Sequence, residues 1–171
     1  MSEVTIRRAR PGEFAVAGAL TVEAYGASGY TEADSPYAAK LADGATRARE
    51  AELWVAVEGD IDGDLDGDTV LGTVTMAPPA SPWAQVAGEA DLEFRMLAVS
   101  PAARGRGIGE ALTRAVLDRA AELGLTGVVL SSSTQMTTAH RIYERLGFRR
   151  TPEKDWSPAP GTMLITYRVD L

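Results

Sequence analysis

Cysteine is absent from the 171 residues, and with it go disulfides, thiolate metal sites and a thiol nucleophile. That absence suits a reducing compartment. There is a single histidine, His140, so no histidine cluster can hold a metal. No apolar run approaches the ~18 residues of a membrane-spanning helix. Residues 1–8 hold no apolar stretch of signal-peptide length. Together these absences predict a soluble, cytoplasmic protein. A basic excess is missing too. The net charge is −7, which argues against a nucleic-acid binder, since such proteins need a basic surface. One segment sets that sign: Glu58, Asp60, Asp62, Asp64, Asp66 and Asp68 crowd together with no base among them. The balance therefore says little about substrate.

What is present is ordinary globular composition, 45% hydrophobic and 24% charged. The length fits one domain, residues 1–171, able to bury a core without a staple. Strand patterns fall at 4–6, 53–57, 69–76, 92–99, 128–130 and 163–169, with a further strand starting at Gly147-Phe148. Helical patterns fall at 14–24, 37–51, 107–123 and 137–146. In the third of these, Ile108, Ala111, Leu112, Ala115, Val116, Ala120 and Leu123 share one face, and Gly124 stands at the cap. The segments 26–36, 77–90 and 151–161 read as loops on their Gly and Pro content. The order β-α-α-β-β-β-α-β-α-β-β predicts an α/β (α+β) fold. Its mixed, mostly antiparallel sheet has a central parallel β-α-β unit over 92–131, with helices on both faces.

The strongest chemical signal is Arg104-Gly105-Arg106-Gly107-Ile108-Gly109, between a strand end and the start of the best helix. Unpaired backbone N–H groups there suit a phosphate, and glycines let the backbone approach it. A Walker loop would need a lysine after its second glycine, and none follows. The dinucleotide pattern G-x-G-x-x-G fails in both frames, at Glu110 and at Leu112. A ligand-free Gly-rich turn is the plain alternative.

Arg104-x-x-Gly107-x-Gly109 after Leu97-Ala98-Val99 resembles the [QR]-x-x-G-x-[GA] signature of the GNAT superfamily of N-acetyltransferases. Ala139-His140-Arg141-Ile142-Tyr143-Glu144-Arg145-Leu146-Gly147-Phe148 is similar to the family's A-x-x-x-Y-x-x-x-G-F segment. The element order matches over nearly the whole chain. The resemblance implies acetyl-coenzyme A as donor, its pyrophosphate on the amides of residues 104–109 and its pantetheine arm along Leu97, Ala98 and Val99. A β-bulge beside that stretch would make room for the arm. Ser132, Ser133 and Thr138 are lesser candidate contacts. Many members carry an asparagine where this chain has Met136, so a side-chain contact there is not expected.

The family moves acetyl from the thioester to an amine by direct attack, and the amine must be neutral. Deprotonating a lysine-like amine at pH 7 costs about 4.6 kcal/mol, and an α-amine about 1 kcal/mol. A base therefore matters most for alkyl amines. Glu93 is the candidate: some histone-acetylating members carry a catalytic glutamate at this spacing from the strand-end valine. Strand parity puts it on one face with Arg95, Leu97 and Val99. The competing reading is a solvated edge carboxylate paired with Arg95. Glu89 is a weaker alternative. Tyr143, protonated at neutral pH, is the candidate acid for the departing thiolate; the competing reading is a core tyrosine. Tyr30, Tyr37, Trp83, Arg95 and Trp156 are candidate acceptor contacts. The acceptor is read as a small-molecule or peptide amine. Dimerisation is common in the family, and no feature of the sequence establishes it. A coenzyme A-binding sensor without turnover is the alternative function.

Two signals are set aside. Asp62-Gly63-Asp64-Leu65-Asp66-Gly67 matches the start of a calcium loop, but the bidentate acid would fall at Thr73 and the flanks are strands. It reads as a solvated hairpin loop. His140 reads as a helix-surface residue with no metal partner, so no metal is expected.

Overall fold

The computed structural model of the chain describes residues 3–32, 34–59 and 68–171. Asp60, Asp62, Asp64 and Asp66, with the calcium-like pattern, lie outside the described residues. The elements run β1 (Val4–Arg8), α1 (Phe14–Ala27), α2 (Pro36–Ala42), α3 (Gly44–Glu50), β2 (Glu52–Glu58), β3 (Thr69–Ala77), β4 (Asp91–Val99), α4 (Ile108–Glu122), β5 (Gly127–Ser133), α5 (Thr137–Arg145), β6 (Arg149–Arg150), β7 (Trp156–Ala159) and β8 (Thr162–Asp170). They fall into two units. One comprises the residues up to Thr75 with Met96–Leu112, the other Met76–Arg95 with Thr113–Leu171.

In the first unit the strand order is β1-β2-β3-β4. β1 and β2 are antiparallel, with Val4 opposite Glu58 and Arg8 opposite Trp54. Ala17 of α1 packs on Leu53, Val55 and Val57, with Phe14, Ala48 and Val70 at the margin. Residues 37–51, expected as one helix, divide at Asp43. Its carboxylate accepts from the Thr46 N–H (3.0 Å) and hydroxyl (2.7 Å), which caps a new helix and holds the carboxyl below its ordinary value. Ser35 caps α2 in the same way, through the Ala38 N–H.

In the second unit the order is β4-β5-β8-β6, with β7 on β8. β4 and β5 are parallel over Asp91–Phe94 and Gly127–Leu130. β5–β8, β6–β8 and β7–β8 are antiparallel, so the mixed, mostly antiparallel architecture is as the patterning predicts. β7 corrects the reading of 151–161 as loop. It tolerates Pro158 because it pairs with β8 alone, and an edge position does not need the missing N–H. In α4, Ile108, Leu112, Val116 and Ala120 are buried at four-residue spacing. Leu123, expected on that face, is 39% exposed.

Two glycines in the first unit mark backbone contacts that exclude a side chain. A Cβ on Gly18 would stand 2.0 Å from the Ala42 carbonyl oxygen, and one on Gly44 would stand 2.2 Å from that of Phe14. Alanine would gain about 1 kcal/mol of helix propensity. The overlap is with backbone and cannot be relieved by a rotamer, at about 1–3 kcal/mol or more. Gly18→Ala and Gly44→Ala are therefore each expected to lower the urea-unfolding free energy, by about 1–2 kcal/mol net.

Candidate active site

β4 leaves the extended region at Met96, whose φ is +56°. A left-handed non-glycine residue costs about 1–2 kcal/mol, so the neighbouring structure must hold it there. The last residue of β4 paired to β5 is Phe94, opposite Leu130. The irregularity thus sits just before Leu97–Val99, where a bulge was expected. Ala98 is buried, and Leu97 and Val99 are half-buried.

Beyond Val99 the chain is tied down before it turns. The Ser100 N–H donates to Leu71 C=O (2.8 Å). Ile108 and Leu112 pack on Gly72 of β3, where a Cβ would meet both side chains at 3.0 Å. The start of α4 is thereby fixed on β3. Between these anchors, Arg104 has φ −62°, while Gly105 and Gly107 are left-handed at +80° and +76°. No Cβ on either glycine would meet another atom within 4 Å; the glycines are required by φ and not by crowding. Among the described residues, no protein carbonyl accepts from the N–H groups of Arg104 to Ile108. A turn of mixed handedness, with N–H groups that no described residue claims at the head of a 15-residue helix, has the geometry that suits an anion. The two arginine side chains turn to the protein itself. Arg104 donates to Ser28 Oγ (2.9 Å), and Arg106 pairs with Glu58 (2.7 Å). What this segment presents is chiefly backbone.

Glu93, in the second unit, is not a solvated edge residue. It is fully buried. Its Oε1 accepts three consecutive backbone N–H groups, from Gln85 (2.9 Å), Val86 (2.8 Å) and Ala87 (3.0 Å). Its Oε2 is buried with no hydrogen-bond partner among the described residues. Burial raises the carboxyl above its ordinary 4.5, against the pull of the three N–H groups and of Arg95. Arg95 does not pair with Glu93. Its guanidinium lies 5.3 Å from the Trp83 ring centroid, and its Nη1 donates to Trp83 C=O at 3.4 Å.

Tyr143, 5% exposed, stands among aromatics: Phe94 (5.7 Å between centroids), Phe148 (5.7 Å) and Tyr167 (5.8 Å). Burial first, and Tyr167 second, push its hydroxyl well above the ordinary phenol value, so it stays protonated. Among the described residues that hydroxyl has no hydrogen-bond partner. His140, one turn earlier on α5, is the residue that sequence reasoning undervalued. It is half-buried, its Nε2 lies 3.0 Å from Ser132 Oγ, and its ring packs 5.4 Å from that of Tyr167. Desolvation lowers its proton affinity. Its three-residue spacing from Tyr143 was the available signal. Trp156 donates from Nε1 to Ser131 Oγ (3.0 Å), and Thr138 is exposed in the first turn of α5. Tyr30 and Tyr37 belong to the first unit; Tyr30 packs edge-on to Tyr25 (6.2 Å), and Tyr37 is 40% exposed. Among the described residues no cluster of three metal-ligating side chains forms, and no helix is long and apolar enough to cross a membrane.

Residues 20–148 match the acetyltransferase (GNAT) family. The chain belongs to that family. Members of the GNAT family take their acetyl group from acetyl-coenzyme A. A mycothiol acetyltransferase of Cellulomonas flavigena is 33% identical over 146 residues, 78% of this chain and 40% of the relative. The chain spans about two fifths of the length of the curated relatives it matches. Among solved GNAT structures, a GCN5-related N-acetyltransferase from Kribbella flavida is similar at TM-score 0.69 and 26% identity, over 98% of each chain. A GNAT acetyltransferase from Brucella melitensis, solved in complex with acetyl-CoA, is similar at TM-score 0.61 and 26% identity. That match covers 87% of this chain and 84% of the other.

The raised Glu93 carboxyl has a measurable consequence for stability. A folded value above the unfolded one makes the folded state the stronger proton binder. The resulting stability is full below the unfolded value of 4.5 and is lost as pH rises through the folded one. Glu93→Gln keeps an oxygen for the three N–H donors and does not titrate. Urea unfolding across a pH series should therefore show the variant gaining on the wild type as pH rises above about 4.5. A pH-independent gap would show that the carboxyl titrates normally.

Proposed function

We propose that the protein is an N-acetyltransferase that moves acetyl from acetyl-coenzyme A to a primary amine by direct attack in a ternary complex. The acceptor is a small-molecule or peptide amine, and the enzyme works in the reducing cytoplasm, where a cysteine-free chain loses nothing. The observation that carries the reading is the set of unclaimed N–H groups from Arg104 to Ile108 ahead of α4, with glycines at the two left-handed positions. Such a cradle suits a diphosphate, and family membership supplies the donor that bears one.

In this reading the pantetheine arm lies along Leu97–Val99, and a backbone N–H there polarises the thioester carbonyl. Glu93 takes a proton from the acceptor ammonium, which frees the neutral amine to attack. Its free oxygen is enclosed, so a bridging water carries the proton to it. A carboxyl raised by burial is a stronger base than an exposed one, which is the direction the task requires. Tyr143 donates its hydroxyl hydrogen to the departing thiolate. Burial keeps it protonated, and the same desolvation raises the proton affinity of a thiolate beside it. Ser132 and Thr138 are proposed as lesser cofactor contacts, and Tyr30, Tyr37, Trp83, Arg95 and Trp156 each as an acceptor contact.

Calorimetry should show acetyl-coenzyme A binding where NAD and ATP do not. Gly105→Ala and Gly107→Ala should each weaken that binding about tenfold, from strain of about 1–2 kcal/mol at the left-handed positions. Thioester consumption across an amine panel tests turnover. Tyr143→Phe should lower kcat about a hundredfold while changing acetyl-coenzyme A affinity little. Cofactor binding with no acetylation of any amine would instead identify a sensor or scaffold.

A further inference from the structure

Several arginines of this acidic chain end on a carboxylate, among them Arg7 on Glu13, Arg8 on Glu52, Arg106 on Glu58, Arg150 on Asp155 and Arg168 on Asp91. Arg95 does not. It is half-buried, and its fork is held by the face of Trp83 and one long contact to the Trp83 carbonyl. A guanidinium engaged only through an aromatic ring and one long contact keeps most of its donors free, and such a fork suits bidentate capture of a carboxylate. The support is itself pinned. Trp83 lies two residues before Gln85, the first of the three N–H groups gripped by Glu93. Arg95 lies two residues after Glu93 on β4, on the same strand face as the candidate base.

We propose that the amine acceptor carries a carboxylate next to its amine, as an amino acid does, and that Arg95 stacked on Trp83 is the residue that reads it. The proposal deepens the transferase reading and rests on it for the acceptor's amine. It also accounts for how an anionic acceptor tolerates a neighbouring Glu93, since an uncompensated second carboxylate would be repelled.

Binding decides the matter without turnover. Amide and indole N–H shifts are followed as the protein is titrated with N-acetyl amino acids of the common side chains and with their matching carboxamides. At least one acid should bind about tenfold more tightly than its carboxamide, moving the Trp83 indole signal. Arg95→Gln should erase that difference. Arg95→Lys, which keeps the charge but not the planar fork, should restore part of it. If no acid outbinds its carboxamide, or if the preference survives Arg95→Gln, the proposal is overturned. Acetyl-coenzyme A consumption with the free amino acids runs alongside. No transfer to any amine, with the Arg95-dependent preference intact, would remove the transferase reading and leave the carboxylate site standing.

Discussion

A carboxyl group with no exposure has to find donors, and the way Glu93 finds them governs the second unit. Its Oε1 gathers the N–H groups of three successive residues, Gln85 to Ala87. Three such donors offset much of the desolvation but not all of it, because the other oxygen is left without a partner. Two things follow from one contact. The loop after β3 is held to a strand, carrying Trp83 into register with Arg95. A carboxyl is also kept in a low-dielectric place with spare proton affinity.

The first unit relies on the opposite condition, backbone donors that none of the described residues claims. The chain is anchored on both sides of them, by Ser100 on Leu71 and by Ile108 and Leu112 on Gly72. The glycines between then take left-handed conformations with open space around them. Rigid flanks and a bare turn mean that little ordering remains for a ligand to impose. The arginines are already engaged with Ser28 and Glu58. Their contribution to an incoming anion is therefore one of local field more than of direct contact, and it is screened because they are exposed.

Much of this was legible in the residues. The buried row Ile108, Leu112, Val116, Ala120 follows from four-residue spacing, the glycine loop from its place before that helix, and the parallel pair from an all-apolar strand at 128–130. What escaped had physical reasons. The donors to Glu93 are backbone groups of a Pro-rich loop and leave no side-chain signature, so the glutamate read equally well as surface. The division at Asp43 turns on a cap inside an alanine-rich run, where propensity alone favours continuity. β7 was hidden by Pro158, which disqualifies a central strand but not a peripheral one. His140 looked like surface because its partners, Ser132 and Tyr167, lie on β5 and β8, and their contact with α5 depends on the tertiary packing.

The head of the parallel pair carries a consequence of its own. Asp91 faces Gly127 across the pair, and the Asp91–Arg168 ion pair (2.7 Å) lies over that glycine so closely that a Cβ would sit 2.2 Å from the guanidinium. A slip of one residue in either direction would bring Thr126 or Val128 beneath the ions and drive a side chain into them. It would also turn every residue of the strand to the opposite face. The glycine thus leaves room for the ion pair in the native alignment. The position of the catalytic candidate opposite Val129 is fixed two residues away from where it is needed, by a residue that has no chemistry to offer.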